Sequence, residues 1–217
     1  PFRIVTGGVP DLVGATILER RRWAAEHLDH VRRLLVNEPR GHADMYGCFV
    51  TPPDDDGADL GVVFFHNEGF STACGHGTIA LVTWAIESGR IAVPAAAADH
   101  RDPHAAHDNA PRRREVAVTV DVPSGRLACA ARLDADGRVA AVRFRNVPSF
   151  VLARDLRVET TRGPLTVDIG YGGAFYGSVD VRTIGRHVEP GALTDLIDLQ
   201  RELRPALEAA VDVVHPL

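Results

Sequence analysis

The sequence contains no lysine: every one of its 24 basic residues is arginine. That bias points to a GC-rich coding sequence rather than to a function. Long apolar runs are missing too. No stretch of about 18 uncharged apolar residues occurs, which excludes a transmembrane helix. Positive charge is short, since 29 acidic residues outweigh the 24 arginines and leave a net charge of −5. That balance argues against a nucleic-acid partner and against an anionic membrane surface. Cysteine is scarce. Cys48, Cys74 and Cys129 are too few and too far apart for a disulfide framework, and a reducing, cytoplasmic setting fits them best. No charged segment leads into an apolar one at the start, so a secretory signal peptide is not expected. The β-rich run Val211-Asp212-Val213-Val214-His215-Pro216-Leu217 reads as unfinished, which suggests a chain belonging to something longer.

What is present is an ordinary globular composition: 217 residues, 45% hydrophobic and 24% charged, enough for one or two domains with a real core. Ile4-Val5 reads as a short strand before the turn cluster Thr6-Gly7-Gly8-Val9-Pro10. A helical pattern spans Leu18 to Val36, with Trp23, His27, His30 or Val31, and Leu34 or Leu35 at helical spacing and Asn37-Glu38-Pro39 ending it. Met45–Thr51 and Leu60–Asn67 form a predicted β-hairpin. Thr78–Ser88 has helical spacing and stops at Gly89. Strands are expected at 115–122, 126–133, 139–146, 150–152, 165–169 and 174–179, then a helix from Leu193 to Asp212. Strands dominate, so the class is α+β. Residues 95–114 show no periodicity and read as an exposed, disordered insertion. His100, His104 and His107 inside it suggest a metal site only weakly, because Pro103 interrupts any helix there; no metal is expected.

The informative segment is Asn67-Glu68-Gly69-Phe70-Ser71-Thr72-Ala73-Cys74-Gly75-His76-Gly77-Thr78-Ile79-Ala80. A strand ends, Gly69 turns the chain, and a helix opens just after a cysteine framed by glycines. The first N–H groups of a helix lack intrahelical partners. A cysteine there is expected to have its thiolate stabilised and its pKa lowered, making it a base or nucleophile. Gly75 and Gly77 would let a ligand approach the backbone, the N–H groups would hold a carboxylate or phosphate, and His76 could donate a hydrogen bond. Cys48 and Cys129, within strand-like apolar runs, read as small buried hydrophobes. Spacing alone leaves proton transfer, acyl transfer and redox chemistry open for Cys74.

At this segment the chain resembles the proline racemase family, which includes 4-hydroxyproline epimerases and trans-3-hydroxy-L-proline dehydratases. Cys74-Gly75-His76-Gly77-Thr78 resembles the family's first catalytic motif. Phe2-Arg3-Ile4-Val5-Thr6-Gly7-Gly8, Glu38-Pro39-Arg40-Gly41-His42 with Met45-Tyr46-Gly47, Val167-Asp168-Ile169-Gly170-Tyr171-Gly172-Gly173-Ala174-Phe175-Tyr176, and Val214-His215-Pro216 resemble further blocks in order. The resemblance implies a diaminopimelate-epimerase-like α+β fold. Two pseudo-symmetric halves would each wrap a sheet around a central helix, with the active site in the cleft. Residues 1–150 would be the first half, and 151–217 the beginning of an incomplete second. Each half would supply one acid/base residue. Cys74 would be the first; the block Asp-Arg-Ser-Pro-(Cys or Thr)-Gly that carries the second is absent from these 217 residues.

The resemblance further implies that Gly75, His76 and Gly77 clamp the substrate carboxylate and that His215 contacts its ring nitrogen or hydroxyl. Asp168 is a weaker substrate-binding candidate, expected chiefly to orient strands or loops. No cofactor is implied, the partner is a small molecule (proline or a hydroxyproline), and a homodimer is carried as an expectation. A second Cys would mean racemisation or epimerisation, a Thr dehydration. Tyr171-Gly172-Gly173-Ala174-Phe175-Tyr176, Asp44-Met45-Tyr46-Gly47 and Val147-Pro148-Ser149-Phe150-Val151-Leu152-Ala153 look more like the dehydratase branch. Two other classes stay open. A thiol hydrolase or transferase would pair Cys74 with His42, His66 or His76, and a non-catalytic module would merely bind an amino acid.

Overall fold

Leu60-Gly61-Val62-Val63-Phe64-Phe65 is apolar at nearly every position, the pattern of a strand covered on both faces. It lies inside the larger sheet. The computed structural model of the protein describes residues 2–93, 99–100 and 113–213. They fall into two units, Pro1–Val147 and Pro148–Leu217.

In the first unit, β1 (Phe2–Val5) pairs in parallel with β2 (Tyr46–Thr51), which pairs antiparallel with β3 (Leu60–His66) as the predicted hairpin. The short β4 (Gly69–Phe70) folds back on β3, and β5 (Asp99–His100) joins β6 (Arg113–Val122). With β7 (Gly125–Leu133) and β8 (Val139–Arg145) the strand order is β1-β2-β3-β6-β7-β8. Helix α3 (Gly75–Glu87) contacts β1 and β2 at one end of that order and β7 and β8 at the other, so the sheet curls around it. Its Leu81, Val82, Ala85 and Ile86 are buried, as expected of a helix apolar on most sides.

The period of two along each strand divides the apolar residues between two cores. Cys48, Val62 and Phe64 face α3 together with Val118 and Cys129. Phe49, Val63 and Phe65 face the other way, against helices α1 (Ile17–His27) and α2 (Asp29–Val36). Each fully buried Val or Phe side chain among them stabilises the fold by about 1.5–3 kcal/mol.

The single helix expected over Leu18–Val36 is two helices, broken at Leu28 (φ −118°, ψ 11°). Thr16 caps the first: its Oγ1 accepts the Glu19 N–H at 3.2 Å while Glu19 Oε2 accepts the Thr16 N–H at 3.3 Å. Asp29 opens the second, its carboxylate bound by Arg32 Nε at 2.6 Å and Arg33 Nε at 3.0 Å. An acidic group suits the first turn of a helix, and nothing in the hydrophobic period marks that restart. Trp23 and His27 stack on each other, centroids 4.5 Å apart with His27 exposed, while Ile17, Ala24 and Leu28 make the buried face.

The second unit is a meander of β9 (Phe150–Val158), β10 (Leu165–Tyr171) and β11 (Phe175–Val179), ordered β11-β10-β9. Helix α4 (Leu193–Ala210) packs Leu199 and Leu203 on Val158, Leu165 and Val167. The strand expected over 150–152 runs on to Val158. A β-bulge explains the mismatch: Leu156 pairs with Val167 and Ala153 with Ile169, leaving Arg154 and Asp155 opposite Asp168. Asp155 takes a positive φ of 53°, and its N–H donates to Asp168 Oδ1 at 2.9 Å. Among the described residues no helix is long and apolar enough to cross a membrane.

Candidate active site

The path into the cysteine segment is fastened step by step. After β3 the chain turns back into β4 through Gly69, whose φ of +143° favours glycine. The Ser71 N–H then donates to the Phe64 carbonyl at 3.0 Å, and Ser71 Oγ donates to the Ala73 carbonyl at 2.6 Å. From the β6–β7 turn, the Ser124 N–H donates to the Thr72 carbonyl at 3.1 Å. Cys74 follows as the N-cap of α3, in extended conformation (φ −156°, ψ 101°). Its carbonyl accepts both the N–H and the Oγ1–H of buried Thr78, each at 2.9 Å. That is the first bond of the helix, so the N–H groups of Gly75, His76 and Gly77 have no intrahelical partner.

The Gly77 N–H donates to the Cys74 sulfur instead. A Cβ at Gly77 would lie 2.8 Å from Cys74 Sγ and 2.8 Å from the Phe2 ring, so the approach requires glycine. At exposed Gly75 a Cβ would meet only Phe144, at 3.4 Å. The His76 ring stands edge-on to Phe2 (5.9 Å, 87°) and to Tyr46 (4.9 Å, 78°). Its Nδ1 and Nε2 are 3.7 and 3.8 Å from the sulfur. Near-equal distances mean that the sulfur is not in line with either ring N–H.

The thiol's ionisation differs from the sequence expectation. Cys74 is 8% exposed and belongs to the apolar cluster around α3. Burial pushes its pKa up, and the Gly77 N–H only partly offsets that rise. The helix start that was expected to lower the value is present, but desolvation is the larger effect. Cys48 and Cys129 are buried in the same cluster, as small hydrophobes. Burial, and a charge on Cys74, hold the Cys48 thiol far above the ordinary range; burial pushes Cys129 up to about 11.

Of the three histidines weighed as partners for Cys74, His76 is the one in contact with it among the described residues. His42 Nδ1 lies 2.6 Å from the Ala43 carbonyl. His66 Nδ1 accepts the Glu68 N–H at 3.1 Å, and burial and the Arg32 charge lower its pKa. Asp168 lies in the second unit, its carboxylate engaged in the β9 bulge. His215 lies outside the described residues, as do His104 and His107 and most of residues 95–114; Asp99–His100 pairs with Arg113–Arg114. Among the described residues no cluster of His, Cys, Asp or Glu could hold a metal ion. Thr78, Ser124 and Phe2 were not singled out as site residues from the sequence. A threonine four residues after a helix-opening cysteine is a readable signal, whereas the other two depend on strand pairing.

The sequence model of the proline racemase family matches residues 1–217. The chain belongs to the proline racemase family. A trans-3-hydroxy-L-proline dehydratase of Burkholderia cenocepacia is 44% identical over 99% of this chain and 59% of its own length. A 3-hydroxyproline 2-epimerase of Burkholderia multivorans is also 44% identical, with the same coverage. The solved structure of a hydroxyproline epimerase from Agrobacterium vitis, with bound trans-4-hydroxy-L-proline, matches with a TM-score of 0.81 at 28% identity, over 99% of this chain and 58% of that one. The chain thus spans about three fifths of the length of these proline racemase relatives. The named relatives include both a dehydratase and epimerases.

Proposed function

We propose that Cys74 is the base that removes the α-proton of a proline-type substrate, and that the whole protein dehydrates trans-3-hydroxy-L-proline. The observation that carries this is the Cys74 sulfur at the head of α3, beside three peptide N–H groups without intrahelical partners. The α-proton of an amino acid is weakly acidic, so its removal needs a placed base and stabilisation of the carbanion. The N–H groups of Gly75 and His76 would hold the carboxylate and the enediolate-like charge that develops on it, while that of Gly77 serves the sulfur. Cys74 would take the proton as thiolate, the form favoured by the Gly77 N–H and the positive end of the helix. The C–H electron pair then forms the ring double bond as the C3–O bond breaks. The α-proton and the departing hydroxide together make the water released, leaving pyrroline-2-carboxylate. The reading uses protein groups alone, with His215 at the ring nitrogen or hydroxyl and Asp168 as a strand-orienting residue.

The relatives also support an isomerase reading, since an epimerase is as similar as the dehydratase. Proton NMR in D2O separates them, with full-length gene product and L-proline, trans-4-hydroxy-L-proline and trans-3-hydroxy-L-proline in turn. Conversion of the 3-hydroxy substrate to a pyrroline is the expected result. Deuterium at the α-carbon with the ring intact would make the protein an epimerase or racemase. No change in any of the three would favour a thiol enzyme or an amino-acid-binding module. Cys74→Ser abolishes α-proton exchange on this reading, and unchanged exchange would sink the base assignment.

A further inference from the structure

We propose that Phe2 is a positioning residue for Cys74: its ring closes one side of the compartment around the sulfur and holds the His76 imidazole against it. The inference deepens the proposed function and rests on Cys74 being the base. It starts from strand register. Phe2 and Tyr46 are direct neighbours across the parallel β1–β2 pair, so both side chains leave the sheet on one face. That face meets the first turn of α3, where both rings stand edge-on to His76 at 5.9 and 4.9 Å. Phe2 is tied to the core beneath by an edge contact with Phe64, at 6.5 Å and 68°.

The decisive contact is at Gly77. A Cβ there would lie 2.8 Å from Cys74 Sγ and 2.8 and 2.9 Å from two Phe2 ring carbons. Ring and sulfur therefore flank the same backbone position, whose N–H donates to that sulfur. Phe2 has no proton to give, so it acts through its neighbours. It keeps water from the sulfur, and it holds an otherwise exposed imidazole within 3.7 Å of it. A base with little water around it loses less solvation on meeting a carbon acid.

The test uses full-length gene product with Phe2→Leu, which keeps apolar bulk but loses the ring edge, and with Phe2→Ala. The readout is the pH dependence of alkylation by iodoacetamide at Cys74, located by peptide mass and by loss of that label in Cys74→Ser. The midpoint is expected to fall by about half a pH unit or more in both variants, because water reaching the sulfur relieves the cost of its charge. The rate near neutrality then rises about threefold for each half unit. A midpoint identical to the unsubstituted protein overturns the inference. So does a rate increase without a moved midpoint, with Cys48 and Cys129 labelled as well, because that pattern marks general loosening. Phe2→Leu carries the test if Phe2→Ala fails to fold. These failures stand apart from failure of the base assignment, which is read from α-proton exchange in Cys74→Ser and not from labelling.

Discussion

At the scale of single residues, the two glycines that frame Cys74 are not equivalent. Sequence spacing treats Gly75 and Gly77 alike, as places where a ligand nears the backbone. In the structure, Gly77 is filled from the protein side by Cys74 Sγ and Phe2, whereas a Cβ at Gly75 would make only an ordinary contact with Phe144. Gly77→Ala must push the sulfur or the ring aside, and it weakens the bond from the Gly77 N–H to the sulfur. The expected outcome is a loss of α-proton exchange of about a hundredfold or more, in the range where 1 Å of misplacement disables a reaction, with a native-like circular dichroism spectrum. Gly75→Ala should leave the melting midpoint and the Cys74 labelling rate unchanged, and if Gly75 holds the carboxylate its effect falls on KM rather than kcat. Steady-state kinetics on the pair checks both, and equal defects would refute the distinction. The place of Cys74 at the start of α3 was legible, but the direction of its pKa shift was not. The shift depends on how much apolar surface the fold places around the sulfur, which no local spacing encodes.

At the scale of elements, periodicity disclosed whatever is repetitive. The β2–β3 hairpin, α3 and the β6–β7–β8 run follow from alternation, helical spacing and Gly89 after the central helix. Among the irregularities that escaped, two are a matter of a carboxylate. Asp29 restarts a helix in the middle of a continuous helical pattern, and Asp168 stabilises an extra residue in β9 where Arg154, Asp155 and Arg157 hide the strand. The second gives a direct test of what Asp168 does. Asp168→Ala removes the acceptor for the Asp155 N–H and leaves Asp155 at a φ of 53° without that support. The bond is exposed and water can take the place of the acceptor, so its loss costs about 0.5–1.5 kcal/mol. Amide hydrogen exchange at Asp155 and its β10 neighbours should quicken, while Asp168→Asn, which keeps an oxygen acceptor, should preserve most of the protection. Cys74 labelling should be unaffected in both. Faster turnover loss than protection loss in Asp168→Asn would instead argue for a substrate contact.

At the scale of the whole chain, all three cysteines share one core. Cys48, Cys74 and Cys129 belong to the apolar cluster around α3, and burial raises the pKa of each. The sequence read Cys48 and Cys129 as small buried hydrophobes but did not join them to Cys74, because the cluster is assembled from β2, the segment before α3, and β7. The consequence is a dependence of stability on alkaline pH. A thiol that is harder to ionise in the folded state keeps its proton after the unfolded chain has lost it. Its contribution is therefore complete below the unfolded thiol value, about 8.5, and declines as pH rises above it. For Cys129 the decline continues to about 11, where the folded thiol also ionises. Trp23 and Trp84 are the two tryptophans of the chain, and both lie in the first unit, so their fluorescence follows its unfolding. The midpoint of that transition is expected to fall steadily between about pH 8.5 and 11. Cys129→Ala removes one of the three sources, so its midpoint starts lower because of the cavity but falls less steeply. Tyr171, whose burial also raises its pKa, is unchanged in the variant and cancels in the comparison. Parallel curves for the two proteins would mean that the Cys129 thiol ionises as readily folded as unfolded, and that the core around α3 admits water at β7.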